Sequence, residues 1–237
     1  FDAPRPHIEE YIRSRLANAL AGLEKTGQAS IWLRTPSFST TVLSEELSQR
    51  LHAYYVNGGR SNFEHFFQTI QAHFSHQSWE SVPAPIIFPP SAIYYPNAPG
   101  LVFKQPADYF SWRKIASGDD RPPVIGIAMH QQYIAAEQTA FIDAMIERIE
   151  AGGAIAMPFY SPVMDADAIS GMVLMNGKPV VDVLINTQIM LNPEGRRLEF
   201  EQLGIPVIQA MPYRKGDEAA WRADPHGVAL MDVPFYL

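Results

Sequence analysis

The run Val124-Ile-Gly-Ile-Ala-Met-His130 decides the reading of this chain. It follows Pro122-Pro123, is apolar almost throughout, and is too short to be a helix of its own. Three runs of the same kind follow: Ala154-Ile-Ala-Met-Pro-Phe-Tyr160, Val180-Val-Asp-Val-Leu-Ile-Asn186 and Ile205-Pro-Val-Ile-Gln-Ala-Met211. Bounded by Gly, Pro or Asn, each reads as a buried strand. Helical patterns separate them. Phe141, Ile142, Met145, Ile146 and Ile149 make one helix before Gly152-Gly153, a weaker one lies between Asp165 and Val173, another covers Arg196 to Leu203, and a last one opens at Gly216-Asp217-Glu218 and runs through Trp221. Strand–helix alternation of this kind predicts an α/β fold with a flavodoxin-like or Rossmann-like parallel sheet of about five strands, Val228 to Val233 supplying the fifth. Both faces of such a sheet are covered, and ligands bind at the carboxyl ends of its strands.

Upstream the pattern is helical. Ile8, Ile12, Leu16, Leu20 and Leu23 recur at nearly four-residue spacing, predicting a helix from His7 to Leu23 between Pro6 and Gly27. Leu43, Leu47, Leu51 and Tyr55 predict a second from Leu43 to Val56, stopped by Asn57-Gly58-Gly59. Ser61 and Glu64 have capping-box spacing for a third, with Phe63, Phe66, Phe67, Ile70 and Phe74 as its core face. From Pro83 to Pro106 seven prolines predict an extended, irregular connector. A short helix at Ala107 to Ile115 follows. The expected organisation is a mostly helical region with its Pro-rich connector at 1–120 and a doubly wound domain at 121–237.

Composition narrows the function. A net charge of −7 with no basic block argues against a nucleic-acid surface, and no apolar run reaches membrane-spanning length. With no cysteine, disulfides, thiolate zinc sites, iron–sulfur clusters and a cysteine nucleophile are excluded. The chain opens at Phe1 without a signal-peptide pattern and closes on Pro234-Phe-Tyr-Leu237, which predicts a piece of a longer protein.

The strand ends supply the candidate site. After the first strand stand Met129, His130, Gln131 and Tyr133, after the third Asn186, Thr187 and Gln188, and after the fourth Tyr213 and Arg214. The histidine suits a metal or an anion, the amides and Thr187 a polar ligand, and Arg214 a carboxylate. Each has a bland alternative: a hydrogen-bonded crevice histidine, caps and turns, solvated surface charge. His73 and His76, three apart on the third helix, are a further metal candidate without a third ligand. No Gly-rich loop follows the first strand, so the dinucleotide and P-loop fingerprints are missing, as is a Gly-x-Ser-x-Gly elbow.

Several segments, taken in order, resemble the large tetrapyrrole-binding subunit of cobaltochelatase and magnesium chelatase. They are Tyr54-Tyr-Val-Asn-Gly-Gly-Arg-Ser-Asn62, Ile93-Tyr-Tyr-Pro-Asn-Ala-Pro99, Asp108-Tyr-Phe-Ser-Trp112, Val124-Ile-Gly-Ile, Thr139-Ala-Phe-Ile-Asp143, Ile205-Pro-Val-Ile-Gln209 and Asp232-Val-Pro234. The resemblance covers about residues 43–237. It implies a fragment of an ATP-dependent chelatase, with a tetrapyrrole as substrate, Co2+ or Mg2+ as the metal inserted, no directly bound cofactor, and ATP used by AAA+ motor subunits. It also implies a cytoplasmic location and no activity in the fragment alone, since the family's Gly-Thr-His-Gly and Glu-containing segments are absent from this sequence. One departure stands inside the match: where the family often has an Arg and a His, then Gly and Asn, this chain has Gln131, Tyr133, Glu137 and Gln138. Relatives that take up or demetallate haem-like tetrapyrroles without a motor, in the periplasm, are the alternative. A small-ligand domain of flavodoxin-like shape is a third.

Overall fold

The computed structural model describes residues 6–27, 29–32, 43–116, 121–213 and 215–227. The chain divides into two compact units, Phe1–Ile87 and Phe88–Leu237. The division lies well before the expected boundary near residue 120, because the Pro-rich stretch contributes strands to the second unit.

The first unit contains α1 (Pro6–Thr26), α2 (Glu45–Asn57), α3 (Arg60–Phe74) and a 3-10 turn at Trp79–Ser81. Ser44 caps α2 by accepting from the Leu47 amide at 3.2 Å. Gly58 and Gly59 have φ of 62° and 80°, the left-handed region where glycine carries no steric penalty, and so let the chain reverse directly into α3. Leu47, Leu51 and Tyr54 form the buried face of α2. Arg50 and Tyr54 donate to the carbonyls of Val82 and Pro83, tying the extended segment back onto the helix. Asn62 does the same from α3: its amide oxygen accepts from the Ile86 N–H at 2.8 Å and its nitrogen donates to the Ile86 carbonyl at 2.9 Å.

Two expectations for α3 fail. The helix starts at Arg60, Gly59 is its N-cap, and Glu64 pairs with Arg60 at 2.7 Å instead of closing a capping box. The buried face is Asn62, Thr69 and Ala72, while Phe63, Phe67 and Phe74 are exposed. Phe66 and Ile70 are half-buried, so the expected core face is only partly turned inward.

The second unit runs β1 (Ala92–Tyr94), β2 (Val102–Phe103), α4 (Pro106–Arg113), β3 (Val124–Met129), α5 (Gln132–Ala135), α6 (Ala140–Ala151), β4 (Ile155–Tyr160), α7 (Ser170–Val173), β5 (Leu174–Met175), β6 (Lys178–Pro179), β7 (Val183–Asn186), α8 (Pro193–Leu203), β8 (Val207–Gln209) and α9 (Glu218–Ala223). Its main sheet has the order β2-β1-β4-β3-β7-β8, and β5–β6 form a separate hairpin. The four strands β3, β4, β7 and β8 are parallel, and their spatial order, second-first-third-fourth, is flavodoxin-like. The fifth expected strand, Val228 to Val233, lies outside the described residues.

The proline-rich stretch is not irregular throughout. β1 pairs antiparallel with β2 and with β4, Ala92 opposite Tyr160. Proline cannot donate to a ladder, and the prolines stand outside these strands: Pro89 and Pro90 precede β1, Pro96 and Pro99 make the turn, and Pro106 starts α4.

Side chains of the central strands alternate between two cores. Val124, Ala128, Met157, Phe159 and Leu184 join Tyr109 and Leu203 on one face; Ile127, Met129, Ala156 and Tyr160 join Ile142 and Ile146 on the other. Gly126 permits the tight packing on the first face. A Cβ there would lie 3.3 Å from both Leu184 and Val181.

Candidate functional site

In this topology the reversal of strand order lies between β3 and β7, and the chain leaves both strands at their carboxyl ends through nominated residues. Those side chains turn inward. Asn186, Thr187 and Gln188 are buried. Thr187 donates to the Ala128 carbonyl at 2.8 Å, and Gln188 donates to the carbonyls of Met129 at 2.8 Å and Ser161 at 3.2 Å. Asn186 donates to the Gln209 side chain at 2.7 Å, linking β7 to β8. Together they staple the ends of four strands. Met129 is fully buried in the core.

His130 belongs to the same staple. Its Nε2 accepts from the Ile189 amide at 3.1 Å, so that nitrogen already has a donor. The His130 ring stands edge-on to Tyr133, centroids 5.7 Å apart. Gln131 donates to the Pro89 carbonyl at 3.2 Å, holding the segment before β1 over the end of β3.

Beside the staple lies a cavity of about 540 Å³ lined by Gln132, Tyr133, Gln138, Phe141, Pro212 and Tyr213. It brings together the residues after β3 and those after β8. Tyr133 meets Phe141 edge to face at 4.9 Å, so two aromatic rings form one wall. Tyr213 is anchored by its hydroxyl, which donates to the Asp224 carboxylate at 3.2 Å. Among the described residues this cavity has aromatic walls, amide groups and no charged side chain. Arg214, the nominated cation, lies outside the described residues. Gln132 and Pro212 adjoin nominated positions, whereas Phe141 carried only a helix-core signal.

The rim is fixed from below. Tyr94 on β1 donates to Asp143 at 2.8 Å, and Thr139 donates to the other Asp143 oxygen at 3.1 Å, so β1 holds the start of α6. Burial, reinforced by Asp143 and opposed by Thr139, pushes the Tyr94 phenol up to about 12, so it remains a donor at neutral pH. Burial likewise raises Tyr160, whose hydroxyl has no partner among the described residues.

A second cavity, about 560 Å³, opens at the carboxyl end of β4, with Ser91, Lys104, Gln105, Pro162, Asp165 and Met172 in its walls. The loop forming one wall is fixed by a buried ion pair that the sequence reading missed. On α8, Arg196 pairs with Glu199, Arg196 donates to the Val163 carbonyl at 3.3 Å, and Glu199 accepts from the Ser170 amide at 2.6 Å. The pair is legible in hindsight: Arg196, Glu199, Phe200 and Leu203 fall at i, i+3, i+4 and i+7, so the charges share a face with the core residues.

Metal candidates are sparse. Among the described residues no group of three or more His, Asp or Glu side chains could hold an ion. His73 packs edge-on to Phe74 in α3, and His76 lies beyond the helix end with φ of 54°. No described helix is long and apolar enough to cross a membrane.

The family model described as CobN/Magnesium Chelatase matches residues 52–237. The aerobic cobaltochelatase subunit CobN of a Sinorhizobium species is 25% identical over 201 residues, covering 83% of this chain and 15% of that protein. The magnesium-chelatase H subunit of Rhodobacter capsulatus is 24% identical over 199 residues, covering 76% of this chain and 15% of its own length. The catalytic subunit of cobaltochelatase from Mycobacterium tuberculosis shares the fold, with a TM-score of 0.58 at 14% identity over 93% of this chain and 18% of that one. The chain thus spans about 15% of the length of these two curated relatives.

Proposed function

The chain belongs to the CobN/magnesium chelatase family, and on that premise we propose that it supplies one wall of the tetrapyrrole site in the large subunit of an ATP-dependent metal chelatase. The observation that carries this reading is the aromatic and amide cavity at the carboxyl ends of the parallel strands, lined by Tyr133, Phe141, Tyr213, Gln132 and Gln138. A tetrapyrrole is a broad apolar disc with polar edges. Aromatic rings suit its faces, and amides suit its periphery.

Inserting a divalent metal requires the pyrrole nitrogens to lose protons while the cation sheds water. The described lining residues include no carboxylate, histidine or lysine and so offer no ordinary base. Their part is to bind the disc and exclude water, with the proton acceptor supplied by other regions of the large subunit. The staple at β3 and β7 keeps the wall rigid, so binding does not have to order it first. In this reading the metal, Co2+ or Mg2+, is a substrate, AAA+ motor subunits hydrolyse ATP, and the complex works in the cytoplasm.

The test is an absorbance titration of the full-length protein with a metal-free corrin, metal-free protoporphyrin and haem. Saturable binding of a metal-free macrocycle, weakened by Tyr133→Leu, is the expected result. Binding of haem alone would redirect the reading to demetallation or uptake, and no binding of any of the three would end it.

A further inference from the structure

Building on the tetrapyrrole reading, we infer that the second cavity, between β2 and the loop after β4, is the subsite for an acidic side arm of the macrocycle, with Lys104 as its cation. Two observations meet there.

The first is the chemistry of the walls. Lys104 projects an ammonium group that makes no ion pair with any described residue, and Ser91 and Gln105 stand beside it as hydrogen-bond donors.

The second is the rigidity of the loop carrying Ser161 and Pro162. It is held at three points: Gln188 grips Ser161, Arg196 grips Val163, and Glu199 grips Ser170. A buried ion pair adds little net stability compared with an apolar packing of the same shape. Placed on an irregular loop, it fixes a shape.

A carboxylate takes ammonium, hydroxyl and amide donors at once, and the charge-assisted bond to Lys104 is the strongest of these. Asp165 on the loop wall carries the same sign as the ligand acid. Its like charge opposes that bond in part. The disc itself rests on the aromatic cavity, and Gln131, bonded to Pro89 of the second cavity, sits between the two. The anionic end is thereby recognised apart from the ring.

The experiment compares protoporphyrin with its dimethyl ester, titrated into the full-length protein and its Lys104→Gln and Lys104→Arg variants. Lys104 is exposed, so neither change disturbs the core. The unaltered protein should bind the free acid about tenfold tighter than the ester. Lys104→Gln should bring that ratio to about one by weakening only the acid, and Lys104→Arg should restore it. An acid-to-ester ratio unchanged in Lys104→Gln would overturn the subsite while leaving the tetrapyrrole reading intact. Failure of the unaltered protein to bind either compound would overturn both. Calorimetry with inorganic phosphate gives the remaining arm: Lys104-dependent phosphate binding with equal acid and ester affinity would make this a free-anion site and end the side-arm assignment.

Discussion

The two sides of the sheet's carboxyl edge use polar residues in opposite ways. Between β3 and β7, Asn186, Thr187, Gln188 and His130 each bond to the protein, while the buried Gln188 Oε1 has no partner among the described residues. On either side, Tyr133 with Tyr213 and Lys104 with Gln105 line open cavities. Residue type and strand-end position are the same in both settings. What separates them is the partner each meets: Thr187 and Gln188 sit over the carbonyls of Ala128, Met129 and Ser161, and Asn186 and His130 meet the Gln209 side chain and the Ile189 amide. Substitutions in the staple should therefore cost stability, and substitutions in the cavities should cost binding.

The sharpest way to break that distinction is Glu199→Ala. It strands the Arg196 charge in the interior and frees the loop after β4, and it should destabilise the protein by about 3–5 kcal/mol, read from the urea midpoint. Gln188→Ala should cost about 2–3 kcal/mol by the same measure, since two buried carbonyls lose their donor. If Gln188→Ala left stability unchanged and abolished macrocycle binding, the staple would be a ligand site after all. Tyr133→Leu should do the reverse, with binding weakened about tenfold, or ~1.4 kcal/mol, and little change in the urea midpoint.

The smallest effect lies at the opposite edge of the sheet. Asp182 accepts from the Val124 amide and pairs with Arg121, both at 2.6 Å. Partial burial raises its pKa, but the Arg121 and Val124 bonds outweigh this and hold it below the ordinary 3.8. Its contribution is therefore present above about pH 4 and lost as the pH falls through the lower folded value. The carboxylate is half exposed, so the effect should stay under about 1 kcal/mol. Urea midpoints measured from pH 5 to 2 should fall less steeply in Asp182→Asn than in the unaltered protein.

The parallel core was legible because Val124–Met129 and Ile155–Tyr160 are buried on both faces, and a strand with two buried faces reads as one apolar run. β1 and β2 were not legible. At three and two residues they carry no periodicity, and the prolines around them dominate any local reading. The α3 error has a different source. Asn62 buries a polar side chain that substitutes for a strand partner to Ile86, a long-range bond that no helical stripe announces. At the site, Tyr133 and Tyr213 could be placed by topology alone. The roles of Gln188 and His130 could not, since an amide that binds a ligand and one that binds a carbonyl are identical in sequence.

The antiparallel β1 also has a consequence for the order of assembly. During synthesis β1 emerges long before β4, the strand against which Ala92 and Ile93 must pair. Until Phe159 and Tyr160 leave the ribosome, only the short β1–β2 ladder is available to Ile93 and Tyr94, which are buried once the sheet is complete. A two-stranded hairpin is marginal by itself, so this stretch passes through an interval in which apolar side chains and an unpaired edge face the cytosol of the producing cell. The prolines at 89, 90, 96 and 99 that obscured the strand in the sequence then act as guards, because a ribbon flanked by residues without an N–H is a poor template for pairing with another nascent chain.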